Sequence, residues 1–315
     1  MHGFINLNKP LGLSSAQAVE RVKKILRSSL RAEGEAIQPG LPRRSAPRND
    51  IKIGHAGTLD PLASGVLVLA LGEATKLVNY AQDAQKAYEF TATWGEARDT
   101  DDAEGAVVAT SDKRPAQAEI EAILPQFTGE IMQAPPAFSA IKMGGKRAYA
   151  MARAGEAPEM QARPVRVDRL QVTGDRGQKD SHATSFFIEC GKGTYIRSLA
   201  RDMGQQLGVY GYVSMLRRVG VGKFGISDAI SLDKLEEMVH KGDLGFLKPP
   251  QWVLDDILAF TLNEAEAGML KRGQAIEKHP ALASDQIVAC VLGGTLIAVG
   301  RTDARFLKPE RVFNL

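Results

Sequence analysis

Cysteine is almost missing from this 315-residue chain: only Cys190 and Cys290 occur, and neither has another cysteine or a histidine at metal-ligand spacing. That speaks against a disulfide framework and a zinc site, and both thiols are expected inside strands. Long apolar runs are missing as well, since nothing approaches the roughly 18 consecutive apolar residues of a membrane span. The opening residues lack a basic segment followed by an apolar one, so no secretory leader is expected and a cytoplasmic location is. Net charge is small, at +3, and no internal repeat is visible. What remains is an ordinary globular composition, 44% hydrophobic and 24% charged. The length suffices to bury a sizeable core and to form two domains.

The small net charge hides an uneven distribution. Residues 192–223 hold six basic residues against Asp202 alone, and residues 21–52 hold nine against three acids. Such stretches can supply the phosphate-neutralising part of nucleic-acid affinity, although a charge run is as readily a solvated face. Residues 96–104 are the reverse, five acids with Arg98, and a nucleic-acid track is expected to avoid them.

Hydrophobic patterning outlines the fold. Phe4–Leu7 reads as a strand, and Ser14 with Gln17 forms a capping box for a helix carrying Val19, Val22 and Ile25 or Leu26 on its buried side. Arg27–Asp50 contains Pro39, Pro42 and Pro47 with few large apolar residues, and is expected to be a mobile insertion. Strands are expected at Val66–Leu71, Tyr88–Trp94, Val165–Thr173 and Ser185–Cys190, and helices near Gln117–Leu124 and Arg147–Ala154. Over residues 194–207, Ile196, Leu199, Ala200, Met203 and Leu207 form one apolar stripe that Gly208 ends. Without a regular βαβ alternation, these elements predict an α+β fold with a mixed, largely antiparallel sheet flanked by helices. Composition shifts near Lys248-Pro249-Pro250, dividing the chain into residues 1–247 and 248–315. In the second part, a helix over Thr261–Arg272 and a hairpin about Gly293-Gly294 outline a small β-rich domain.

The densest chemistry lies at Gly54-His55-Ala56-Gly57-Thr58-Leu59-Asp60-Pro61-Leu62-Ala63-Ser64-Gly65, directly before the apolar run Val66–Leu71. The glycines permit tight backbone paths, and Pro61 biases Asp60 away from the helical region. Two readings of Asp60 stand on the residues alone: a cap for a helical turn starting at Pro61, or a carboxylate presented at the rim of a core. His55 likewise reads either as a surface-loop histidine or as part of a site.

At these residues the chain resembles the bacterial tRNA pseudouridine-55 synthases, the TruB family. Five further segments, in order across nearly all of the first 220 residues, carry the resemblance. Phe4–Ser15 is similar to the family's opening strand and loop, and Lys86–Phe90 to its tyrosine strand. Gln133–Tyr149 is similar to its RNA-gripping insertion, placed here at residues 130–160. Cys190–Leu199 is similar to its arginine motif, and Val213–Arg218 to the last signature of its catalytic domain. The C-terminal domain resembles the PUA-type RNA-binding domain, although as a sequence it reads also as a plain terminal cap. The stretch 27–50 is longer than the family pattern.

The resemblance implies conversion of uridine to pseudouridine at position 55 in the T loop of tRNA: the N1–C1′ bond breaks, the base turns, and it rejoins through C5. It implies no metal or other cofactor, a tRNA T stem-loop as partner, no obligate protein partner, and a monomer. The reaction needs a carboxylate that acts as a nucleophile on C1′ or C6, or stabilises an oxocarbenium-like centre, and Asp60 matches. A carboxylate in a dry pocket needs a cationic or hydrogen-bonding partner. Arg197 is the family match for that partner and stays protonated at any relevant pH, its alternative role being a phosphate contact. Because the target base must be flipped from its stack, Tyr88 is implied to lie against it and to handle the C5 proton, although on residue type alone it is an ordinary strand tyrosine. His55 is implied to contact the base or fill the vacancy it leaves. Tyr195 and Leu216 are implied to wall the pocket, and Lys9 is either a phosphate contact or a solvated lysine.

Readings from other classes fit less well. A non-catalytic RNA-binding protein on the same fold would have shown itself by losing the aspartate or the arginine. A glycosidase would need a second carboxylate, which the Asp60 motif lacks. Guide-RNA-dependent synthases share the motif but are expected to carry extended basic tails.

Overall fold

The computed structural model describes residues 1–35, 51–139, 141–143, 146–154, 156, 160–174 and 182–315. The apolar run Val66–Leu71 lies within a strand, Ala63–Leu71. Gly3–Lys9 pairs antiparallel with it, Gly211–Val221 pairs parallel with its first residues, and Ile53–His55 pairs antiparallel with its end. Its side chains feed two cores in alternation: Val66, Val68 and Ala70 enter one, and Leu67, Leu69 and Leu71 the other. Full burial of each large aliphatic side chain contributes about 1.5–3 kcal/mol. A strand covered on both faces has no polar side, which is why it reads as a continuous apolar run.

Among the described residues, ten strands join this sheet. From one edge the order is Leu247–Lys248, Gly3–Lys9, Ala63–Leu71, Gly211–Val221, Lys86–Trp94, Ala183–Cys190, Arg163–Gly174 and Gly129–Gln133. Every one of these neighbours is antiparallel except Ala63–Leu71 with Gly211–Val221. The mixed, largely antiparallel sheet is therefore present. Its central Gly211–Val221 strand escaped the periodicity reading. Register shifts at Val213/Met215 and Arg218/Gly220 break the two-residue alternation on which that reading depends.

The capping box at Ser14 forms in both directions: the Ser14 N–H donates to Gln17 Oε1 at 2.8 Å, and the Gln17 N–H donates to Ser14 Oγ at 3.2 Å. The helix it starts spans Ser15–Glu35 and buries Val19, Val22, Ile25 and Leu26. Here the expectation of a loop from Arg27 onward is corrected, because residues 27–35 continue the helix. Every proline of the stretch lies at 39 or beyond, and residues 30–33, Leu-Arg-Ala-Glu, are good helix formers. The rest of that expectation, residues 36–50, lies outside the described residues.

The striped helix spans Ile196–Gln206 and packs Ile196, Leu199, Ala200 and Met203 against Phe90, Trp94 and Phe186 of the sheet. Phe90 and Phe186 stack with ring centroids 4.9 Å apart. Within residues 130–160 the Gly129–Gln133 strand joins the large sheet, and Ala148–Arg153 is helical, as expected.

A second sheet, of five strands, runs in the order Leu258–Thr261, Ile287–Leu292, Thr295–Thr302, Phe306–Val312 and Ile276–Glu277. The expected helix over Thr261–Arg272 is shorter, Glu264–Lys271, and is capped by Asn263 with Glu266; Thr261 instead ends the strand Leu258–Thr261. The expected hairpin is present. This sheet shares a core with the large one, in which Ala289, Leu296, Val299 and Phe313 meet Phe4, Val66 and Leu77.

Candidate active site

The Gly54–Gly65 loop, the start of the Ile196–Gln206 helix and the strands Lys86–Trp94 and Gly211–Val221 enclose a cleft of about 300 Å³. Asp60, Tyr88, Tyr195, Arg197 and Leu216 all line it, although the sequence spreads them over more than 150 residues. Of the two readings of Asp60, the structure takes the second. The residue precedes a single turn that leads straight into the Ala63–Leu71 strand, and its carboxylate pairs with Arg197.

Arg197 is 7% exposed and has four partners. One nitrogen, Nη2, lies 2.9 Å from Asp60 Oδ2 and donates to the Phe138 carbonyl at 3.0 Å. The other, Nη1, donates to the Thr100 carbonyl at 2.9 Å and lies 3.4 Å from Asp102 Oδ2. A planar fork divided among two carboxylates and two carbonyls has one orientation available, so it fixes the Asp60 carboxylate in place. Asp60 itself is 42% exposed in its side chain and lines the cleft.

Behind Arg197 lies the acidic stretch. Asp102 accepts from Thr100 Oγ1 at 2.6 Å and from the Glu104 N–H at 3.1 Å. Asp101 pairs with Arg201 at 2.9 Å, and burial pushes its carboxyl up to about 6. Asp101 and Asp102 thus face the helix that carries Arg197 and Arg201. Gln133 secures the same helix start. Its side-chain oxygen accepts from the Tyr195 N–H at 2.8 Å, and its nitrogen donates to the Tyr195 carbonyl at 3.1 Å.

A second buried arginine, Arg218, ends the last motif, where its residue type alone points to no role. It is 2% exposed, and its guanidinium donates to the carbonyls of Val66 at 2.7 Å and Gly57 at 3.1 Å. It thereby holds the loop on both sides of Asp60. Gly65 makes this possible: its φ is +97°, and a Cβ there would stand 2.1 Å from the Arg218 carbonyl oxygen. Ser15 adds a further tie, accepting from the Leu59 N–H at 2.7 Å and donating to the Leu59 carbonyl at 3.0 Å. No periodicity marks these residues, because their role depends on carbonyls distant in sequence. The detectable signal for Arg218 is its position two residues after Leu216, on the same strand face.

Tyr88 sits opposite Arg218 in the sheet, and burial raises its hydroxyl pKa against the opposing effect of the Arg218 charge. Two candidates from the sequence are not among the cleft-lining residues. Lys9 is fully buried, which corrects the reading as a solvated lysine, and its ammonium donates to the carbonyls of Pro10 at 3.0 Å and Leu13 at 2.5 Å. Burial brings its pKa down to about 8. His55 pairs through its backbone with Leu69, and its buried Nδ1 has no hydrogen-bond partner among the described residues. Burial, then the Arg218 charge, lowers the His55 pKa. Among the described residues no group of three or more His, Cys, Asp or Glu side chains could hold a metal ion.

Solved structures share this fold. An H/ACA ribonucleoprotein bound to a substrate RNA containing 2′-deoxyuridine is 23% identical, with TM-score 0.68 over 99% of this chain and 85% of that one. A Cbf5-Nop10-Gar1 complex is 24% identical, with TM-score 0.69 over the same shares. They share the architecture of this chain, whose cleft holds an aspartate gripped by a buried arginine. The chain belongs to the TruB family of pseudouridylate synthases. The model of the TruB family pseudouridylate synthase N-terminal domain matches residues 43–196, and that of the tRNA pseudouridylate synthase B C-terminal domain matches residues 197–259. The tRNA pseudouridine synthase B of Bradyrhizobium diazoefficiens is 44% identical over 100% of this chain and 86% of its own length. The protein of the same name from Brucella melitensis is 42% identical over 99% of this chain and 95% of its own.

Proposed function

We propose that this protein isomerises uridine to pseudouridine at position 55 in the T loop of tRNA, with Asp60 as the nucleophile. The observation that carries the reading is the Asp60–Arg197 pair, 2.9 Å apart in the cleft. Arg197 is held by three further partners, so the charged carboxylate meets a cation that needs no rearrangement when the reaction begins. The target uridine leaves its stack and enters the cleft with its ribose toward Asp60. Tyr88 lies along the base and handles the C5 proton, while Tyr195 and Leu216 fix its plane. Asp60 attacks, the N1–C1′ bond breaks, the detached base turns, and C5 takes the place of N1.

The RNA is held outside the cleft by sequence-independent contacts. Residues 130–160 and the C-terminal domain, read as a PUA-like unit, supply them together with the basic stretch 192–223, whose Lys192 stands at the cleft rim. The domains divide at residues 1–247 and 248–315. The enzyme works as a monomer without cofactor.

An unmodified T-arm hairpin incubated with the protein should yield pseudouridine at the position equivalent to 55 and nowhere else. Conversion at another position, or none, overturns the substrate assignment. Multiple turnover by an Asp60→Asn variant overturns the nucleophile.

A further inference from the structure

The cleft has more buried positive charge than the Asp60–Arg197 pair requires. Arg218 and Lys86, 2% and 7% exposed, also line it, and each is satisfied by main-chain carbonyls rather than by a carboxylate. The Lys86 ammonium donates to the Ala84 carbonyl at 2.6 Å and to the Gln82 carbonyl. Asp83, the nearby acid, is instead ion-paired to Lys192 at 2.8 Å. Lysine carries three N–H donors, and the third on Lys86 has no acceptor among the described residues. Burial brings this lysine's pKa down to about 8, with the Arg218 charge adding to the effect, so the ammonium form is held at a cost to the empty protein. A buried cation without a counter-ion suits a site where the negative charge arrives with the substrate.

Position says which part of the substrate brings it. Lys86 and Tyr88 lie two residues apart on one strand and so share its cleft face. Lys86 stands at the Gly191–Thr194 end of the cleft, opposite Cys190 in the sheet. Tyr88 lies opposite Arg218 and Lys86 opposite Val221, so Lys86 is two residues further along the strand from the Leu216–Ala63 pairing at which the Asp60 loop enters the sheet. Along the strand Tyr88 therefore stands nearer the entry of the Asp60 loop than Lys86 does. A base stacked on Tyr88 with its ribose toward Asp60 directs its carbonyl edge at Lys86.

We infer that Lys86 is a further catalytic residue, whose ammonium donates to a carbonyl oxygen of the flipped pyrimidine and stabilises the negative charge that forms on the base during isomerisation. This rests on the reaction assigned above. When N1–C1′ breaks, the bonding electron pair leaves with the base and spreads over N1, O2 and O4. The same pair re-forms the glycosidic link through C5, which gives up its proton while N1 gains one. Lys86 neither gains nor loses a proton. If Asp60 adds to C6 first, the charge again falls on the carbonyl edge.

The test measures the single-turnover rate and the affinity for an unmodified T-arm hairpin in the native protein and in Lys86→Met. The expected result is a rate lower by about 10²-fold, the scale of a lost oxyanion donor, with affinity within about threefold of native and the same salt slope. On a hairpin with 5-fluorouridine at the target, whose detached base is a weaker base, the variant's deficit in consuming the target nucleotide should shrink at least about tenfold. A second variant, Lys86→Gln, keeps a donor for the Gln82 or Ala84 carbonyl and removes only the charge; it gives the same readouts if the Met variant does not fold. A rate within about threefold of native overturns the inference. So does an affinity loss with a salt slope shallower by about 1, which would make Lys86 a phosphate contact. So does an equal deficit on uridine and 5-fluorouridine. Failure of the native protein to convert the hairpin would instead count against the assigned reaction.

Discussion

Around the large sheet, Lys9, Lys86, Asp102, Arg197 and Arg218 are all buried, whereas in the five-stranded sheet Thr302 is the one buried polar residue among those described. The small sheet keeps its ion pairs at the surface, Arg301 with Asp285 and Glu310, and Lys308 with Asp303. Exposed pairs of that kind each contribute at most about 1 kcal/mol. Its stability comes instead from Leu270, Val288, Cys290, Ala298 and Leu307 packed together. Where the large sheet meets the cleft it accepts desolvated charge, which stabilises nothing unless well partnered. Groups kept in that condition mark the region that has work to do on a ligand.

The contrast is broken most forcefully at Asp60. Asp60→Asn should lower turnover by on the order of 10⁴-fold or more while tRNA affinity stays within a few-fold, because size and hydrogen-bonding capacity are kept. Next comes Arg197→Lys, with an expected loss of about 10²–10³-fold in rate. A single ammonium cannot serve Asp60, Asp102 and the carbonyls of Thr100 and Phe138 together. A near-normal rate would return Arg197 to phosphate binding.

In the small sheet the signature should invert. Leu270→Ala, fully buried in its apolar core, should cost about 2–5 kcal/mol of stability in denaturant titration and leave the turnover of the folded protein unchanged. A tenfold loss of rate would mean that the two sheets are not separable in this way. Arg218→Met sharpens the comparison from the other side. It leaves the Val66 and Gly57 carbonyls short of a charged donor, a change of about 1–3 kcal/mol, but loosening the Asp60 loop should also lower the rate at least about tenfold.

The smallest expected effect is on pH. Lys9 and Lys86, both brought down to about 8 by burial, shed protons in the folded protein while the unfolded chain still binds them. Stability should therefore rise from about pH 8 to pH 9. Above that the sign is opposed, because burial pushes Cys190 up to about 11 and Cys290 up to about 12, so that the unfolded thiols ionise first. Denaturant midpoints at pH 8 and 9 check this. A flat or falling trend would show that the two lysines keep their protons.

Much of this was legible from residues alone. The Val66–Leu71 run, the capping box at Ser14, the stripe from Ile196 to Leu207 and the Gly293-Gly294 hairpin all state their element through local period or turn chemistry. The Gly211–Val221 strand did not, since bulges break its period, and the loop expected from Arg27 starts too early, because the prolines of that stretch begin only at 39 while residues 27–35 are helical. Asp60, Arg197, Tyr88, Tyr195 and Leu216 were found through motifs and do share one cleft, while His55 and Lys9 stand outside its lining.

By itself the sequence determined the class of fold, the family and the loop that carries the carboxylate, because glycine placement, apolar runs and motif residues are local and survive without knowledge of what they touch. Only the tertiary structure decided that Asp102 stands behind Arg197, that Arg218 clasps the loop through main-chain oxygens, and that Lys86 has a donor to spare among the described residues. Those facts depend on burial and on carbonyl positions contributed by strands far apart in the chain. A charged residue's partners and solvation, which set its chemistry, are properties of that assembly and leave no periodic trace in the string of residues.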